Sequence, residues 1–304
     1  MLRQAENKIK IEGILAEVNI NPGSFEKNGQ TMESLGGSII VKVNQKINGE
    51  EKELSIPVHM FASKFTNRGN PNPAYDSIKK VANEYVSIAA AGSEEGADRI
   101  RITNASIRMN EYYSADGRLI SFPRINASFV SKINKVDCKP EAAGSIEFVI
   151  GAKSEELDKD GELTGRYKIN AILPQYGEKV DVVPLFACGE GVISAVSTYW
   201  EVGDTVRANV KLDFSATTET SIEEVDFGEP IEKTRTINRS DIIITGGTQT
   251  PLEGDLAFDK NEIETACRER KARLEAQKEK DMARVASKQA PAQSTKNGFT
   301  DLGF

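Results

Sequence analysis

Aromatic and basic side chains are interleaved through one stretch of the chain, residues 54–133: Phe61, Lys64, Phe65, Arg68, Tyr75, Lys79, Lys80, Tyr85, Arg108, Tyr112, Tyr113, Arg118, Phe122 and Arg124. Ring faces offer nucleobases a stacking surface while Lys and Arg follow phosphates, so this mixture suits a groove for single-stranded nucleic acid. Composition leaves a second reading open, because aromatics in strands ordinarily face a core and basic residues ordinarily face water. Catalytic chemistry finds less support. The single histidine, His59, stands beside Met60 and Phe61 in an alternating run where a structural role is expected, and no Ser/His/Asp set can be assembled beyond it. Cys188, next to Gly189, lacks a basic neighbour to lower its pKa. Thr245-Gly-Gly-Thr248 has neither the spacing nor the lysine of a phosphate loop. Asp158, Asp160 and Glu162 around Gly161 lack the full ligand set of a calcium loop and read as a hairpin turn. Cys138, Cys188 and Cys267 are far apart, so neither a disulfide framework nor a zinc site is indicated. The expectation is a binding protein, not an enzyme, with no cofactor and no metal.

The elements that must position the rings and cations read as strands. Residues 8–20 alternate as a half-buried strand in which Gly13 suggests a bulge or bend, and Asn21-Pro-Gly-Ser24 is expected to end it. Residues 38–47 form a second strand, Asn48-Gly49 a two-residue hairpin turn, and residues 52–61 the returning partner. A helix over 74–85 follows a polar loop at 63–73, then two alternating runs, 99–108 and 119–130, the second continuing to Ile133. The order strand, strand, strand, helix, strand, strand is that of the oligonucleotide-binding (OB) barrel. Residues 145–212 run through the same order. Val183-Pro184-Leu185 answers Ile56-Pro57-Val58, residues 191–199 take the place of the helix, and 203–212 answer the strand beginning near Asp98. Two anchors in one order argue for an internal duplication.

The expected fold is therefore mostly β: two tandem OB-fold-like five-stranded barrels, over 1–136 and 137–258, a charged helix at 259–288 and a flexible tail at 289–304. With 304 residues, 38 % of them hydrophobic and 28 % charged, both barrels can carry a core, and no apolar run approaches the ~18 residues of a membrane span. Net charge is −7 but unevenly spread: +3 over 1–136, −12 over 137–258 and +2 over 259–304. The first unit is the nucleic-acid candidate, and the two units are not expected to share one electrostatic task. The N-terminus has no apolar signal core, so the expected location is the cytoplasm.

Val183 to Ala187, a helical spacer, and Tyr199-Trp-Glu-Val-Gly-Asp-Thr-Val through Leu212 resemble the single-stranded DNA-binding proteins of bacteria and their phages. The resemblance covers roughly residues 8–245 and rests on layout and short motifs. It implies a protein that coats single-stranded DNA in replication, recombination or repair, in the host cytoplasm if phage-encoded. Residues 259–288, without Gly or Pro and opened by Asp259 as N-cap, predict a helix with a thin apolar stripe, solvated or weakly docked. Residues 289–297 have linker composition, and the chain ends Gly298-Phe-Thr-Asp-Leu-Gly-Phe304. By the same resemblance, Phe299, Asp301, Leu302 and Phe304 form a tip that recruits replication and recombination proteins. It has one acidic residue where the family usually has several. Self-association is left open. The alternative function is a structural, assembly or adaptor protein with tandem small barrels and no nucleic-acid binding, its acidic second unit facing a basic partner.

Overall fold

The computed structural model describes residues 1–27, 29–158, 160–223 and 231–289. Alternating sequences in the first half form β1 (Asn7–Lys27), β2 (Gln30–Ile47) and β3 (Glu50–Ser63), with β2 and β3 joined through Asn48 and Gly49, both at positive φ as the tight turn requires. Two helices follow, α1 (Pro73–Glu84) and the single turn α2 (Ile88–Ala91), then β4 (Arg99–Tyr113), β5 (Leu119–Asn126) and β6 (Ser131–Ile133). Asn72 caps α1 by accepting the Ala74 N–H, and Ile78 and Val81 bury its inner face. The second half contains β7 (Glu141–Leu157), β8 (Leu163–Gln175), β9 (Lys179–Ala187), α3 (Glu190–Tyr199) and β10 (Thr205–Asp213). It continues through a separate hairpin of β11 (Ala216–Glu223) and β12 (Ile231–Asn238), then β13 (Asp241–Gly247) and the long α4 (Lys260–Gln289).

Strand pairing closes on itself twice. β1 pairs with β2, β2 with β3, β3 in parallel with β5, β5 with β4, and β4 with β1 again. The second half repeats the scheme: β7, β8, β9, then β13 in parallel, then β10, and back to β7. The expected pair of separate barrels needs correction in one respect. Residues Asn7–Glu12 of β1 pair with 141–146 of β7, so the strands form a single eleven-stranded sheet. One hydrophobic cluster runs from Ile9 and Val41 through Phe148 to Ile244, because the paired strands carry apolar residues across the boundary between the halves.

Three local expectations also change. β1 does not stop at Asn21: Pro22 and Gly23 pair with Leu35 and Ser34. Pairing with β4 ends at Ile14, so Pro22 sits on an open edge where its missing N–H leaves no ladder bond unmade. Gly13 marks a close approach, not a bulge, since a Cβ there would lie 2.3 Å from the Lys42 carbonyl oxygen; the register shift falls between Leu15 and Glu17. The final strand of the first half breaks after Asn126, and the turn over 127–130 separates it from β6.

Glu12, fully buried at the junction of β1, β4 and β7, binds the halves electrostatically. It accepts bonds from Arg101 Nε at 2.8 Å and the Lys139 backbone at 2.7 Å, with Lys10 Nζ at 3.1 Å. These partners, Arg101 foremost, hold its pKa down at about 2. α4 is docked more firmly than its thin apolar stripe suggests. Ile263, Ala266 and Leu274 are buried, Arg270 ion-pairs with Glu111 of β4, Gln277 donates to the Glu111 carbonyl, and Asp281 accepts the Tyr113 N–H. Asp259 caps the helix by accepting the Glu262 N–H. Among the described residues no helix is long and apolar enough to cross a membrane.

Candidate nucleic-acid interface

Period-two alternation sorts the residues of β3, β4 and β5 by face. Val58, Met60, Ala105, Ile107 and Ile125 are buried, so His59 and Phe61 on β3, Asn104 and Ser106 on β4, and Arg124 and Asn126 on β5 point the other way. Parallel pairing sets His59 beside Asn126, and the β4–β5 ladder sets Ser106 beside Asn126 and Arg108 beside Arg124. These outward positions line an open cleft of about 350 Å³, completed by Phe129 from the turn after β5. Phe61 and Phe129 are 58 % and 57 % exposed, which is unusual for rings with no partner protein over them. Farther along the same ladder Tyr112 and Phe122 meet edge to face, with centroids 6.4 Å apart, and both remain exposed.

A second cleft of about 400 Å³ lies where the β1–β2 arm meets the loop after β3. Phe65 lines it with Lys27, Met32 and Asn67, and Lys27 donates to Asn67. Phe25 on the arm approaches Phe61, a ring of the first cleft, at 6.0 Å between centroids.

The expected cations divide by whether a carboxylate already holds them. Lys64 pairs with Glu33 at 2.7 Å, which raises its pKa, Arg108 with Asp181 at 2.8 Å, and Arg118 with Asp116 in its own turn. Each of these three expected cations meets an internal carboxylate, with which a phosphate would have to compete. Arg68, Lys79, Lys80 and Arg124 make no ion pair among the described residues. Arg68 is exposed in the turn closed by the Gly69 N–H on the Thr66 carbonyl, and Lys79 and Lys80 are exposed on α1. Arg124 Nε donates to Asn126 Oδ1 at 3.1 Å.

The rings divide in the same way. Phe61, Phe65, Tyr112 and Phe122 are exposed, whereas Tyr75 and Tyr85 pack against the core, and Tyr85 donates to the Val130 carbonyl. Tyr113, on the opposite face from Tyr112, is covered by α4, with Lys278 Nζ 5.8 Å from its ring centre. Phe129, Phe25, Asn104, Ser106 and Asn126 join the surface without having been singled out. His59 lines the cleft as a half-buried residue, and burial and then the charge of Arg124 lower its pKa. The phase of Arg124 and Asn126 with Phe122 was the available signal for the amide. Nothing local announces Phe129. Cys138, Cys188 and Cys267 are free thiols whose pKa burial raises. Phe299, Asp301, Leu302 and Phe304 lie outside the described residues.

The fold and this surface define a class first: a two-ring β protein with an aromatic, amide-rich and partly cationic face on its first ring. The YorF family model matches residues 5–280, and the chain belongs to that family. No curated protein matched the sequence. Solved structures similar to it include the wild-type single-stranded DNA binding protein from Thermus aquaticus, at 11 % identity and TM-score 0.46, covering 83 % of this chain and 96 % of that one. A deletion mutant of the same protein matches with the same identity and TM-score, over 83 % of this chain and 97 % of that one.

Proposed function

We propose that this protein binds single-stranded DNA, largely independently of sequence, through the outward face of β3, β5 and β4 and the adjoining β1–β2 arm. The observation that carries the reading is the pairing of open rings with an unpaired arginine: Phe61 and Phe129 flank a cleft whose cation, Arg124, has no carboxylate partner among the described residues. Bases stack on such rings while unpaired cations meet phosphates or base edges. On this reading each ring of strands is an OB barrel, with limits 1–136 and 137–258, since the pairing order with a helix before the fourth strand is the one that fold uses. The protein acts without catalysis, in replication, recombination or repair, phage-encoded and in the host cytoplasm, as the resemblance in its sequence suggests. The tip at Phe299, Asp301, Leu302 and Phe304 recruits partner enzymes, so deleting 298–304 should leave DNA affinity intact and abolish their association.

The direct test is a fluorescence-polarisation titration of the full chain against labelled thymidine oligonucleotides of increasing length, with duplex DNA and RNA alongside. Length-dependent binding that weakens with salt is expected for the single strand. Equal affinity for duplex, or no binding, would remove the function.

A further inference from the structure

We infer that the cleft between β3, β5 and the turn over 127–130 takes a single nucleobase and selects guanine. The inference rests on the single-strand reading above and adds a base preference to it at one subsite. The cleft is walled by two open rings, Phe61 and Phe129, from different elements. Between them the lining is polar and contains no carboxylate: His59, Asn104, Ser106, Arg124 and Asn126 supply imidazole, amide, hydroxyl and guanidinium.

The arginine decides the base. Its Nε is held by Asn126 Oδ1 at 3.1 Å, which fixes the guanidinium and leaves its two terminal nitrogens without a partner among the described residues. Two adjacent donors in a plane match the O6 and N7 acceptors of guanine. Adenine places a donor where guanine has O6, and the two carbonyls of thymine are separated by its N3–H, so each leaves part of the fork unmet. Cytosine, whose O2 and N3 are adjacent in a single strand, is the competing base and an outcome of the test. Leaving the terminal nitrogens of a half-buried arginine without acceptors is unfavourable, which gives the fork a differential affinity for the base that satisfies both. Amide and hydroxyl oxygens of Asn104 and Ser106 remain as acceptors for the N–H donors of guanine. A phosphate is the competing occupant of the same cation. It fits less well here, because the other basic group in the lining, His59, is disfavoured as a cation by its burial and by the charge of Arg124, and because two exposed rings suit a flat apolar face.

The test compares four oligonucleotides against the all-thymidine strand, in polarisation titrations with the full chain: one central guanine, one central adenine, one central cytosine, and one central 7-deazaguanine, which lacks the N7 acceptor. Guanine should tighten binding about tenfold, as one bidentate pair is worth, and the other three should not; an equal gain with cytosine would overturn the choice of guanine. In Arg124→Lys, which keeps the charge and removes the fork, the ratio of guanine-strand to thymidine-strand affinity should fall to near one. Asn126→Ala, which frees Nε, should reduce the same ratio. Equal affinities for all strands in the natural protein, or a guanine preference that survives Arg124→Lys, would overturn the inference while leaving single-strand binding standing. Failure to bind any strand would overturn the proposed function and this inference together.

Discussion

The two halves share one pairing scheme and present opposite surfaces at the same point of it. In the first half the parallel step sets His59 beside Asn126; in the second it sets Phe186 beside Ile243. Counting back two residues along the fifth strand of each ring gives Arg124 in one and Asp241 in the other. Arg124 has no carboxylate partner among the described residues, whereas Asp241 is bound at 2.8 Å by Arg166, which also pairs with Glu156 and lies 4.0 Å from the centre of the Phe186 ring. The second half therefore closes its own ring and charges against each other, and Phe186 is only 7 % exposed. A strand scheme sets where side chains emerge. Whether they are available to a ligand depends on the neighbours that reach them.

The comparison breaks most visibly at the two phenylalanines. Phe186→Ala should destabilise the fold by roughly 3–5 kcal/mol, the range for emptying a buried aromatic site. Phe61→Ala should leave the melting temperature nearly unchanged and weaken DNA binding by about 1–3 kcal/mol. Thermal melts and polarisation titrations on both variants check the contrast, and it fails if the two lose stability alike.

Next in size is the frame the halves share. Glu12→Gln should cost about 3 kcal/mol, because it leaves Arg101, Lys10 and the Lys139 N–H facing a neutral group at a buried junction. The folded pKa of Glu12 is depressed, from 4.5 to about 2. Its stabilisation is therefore complete above about 4.5 and is lost as pH falls through about 2. Denaturant midpoints of the natural protein and the variant should converge over that window, and a constant gap between them would contradict the assignment.

The smallest effect is on salt dependence. Four expected cations make no ion pair among the described residues, so log affinity should fall with log salt at a slope no steeper than about −3, at ~0.7 for each phosphate reached. Arg124→Asp, which gives the first half the residue of the second, should weaken binding. If Arg124 meets a base edge, the slope should hold nearly constant; a shallower slope by ~0.7 would place a phosphate there instead.

Alternating apolar residues were sufficient to read most strands, because the pleat imposes a two-residue period on any half-buried segment. Asn48-Gly49 announced its turn by the positive φ it supplies, and the three-strand, helix, two-strand order was legible in the first half and as far as its fourth strand in the second. The net charges of +3 and −12 were also there to be read in the residues themselves. Only the tertiary structure decided which rings and cations are open. Arg108 is held by Asp181 and Tyr113 is covered by α4, both across long stretches of chain. Phe129 reaches the cleft because the chain turns after Asn126, where the Ala127 N–H bonds to the His59 carbonyl. Strand periodicity is a property of neighbouring peptide units and survives in one dimension. Availability of a side chain is a property of whatever folds back over it, and the pairing of β1 with β7 into one sheet belongs to that second kind.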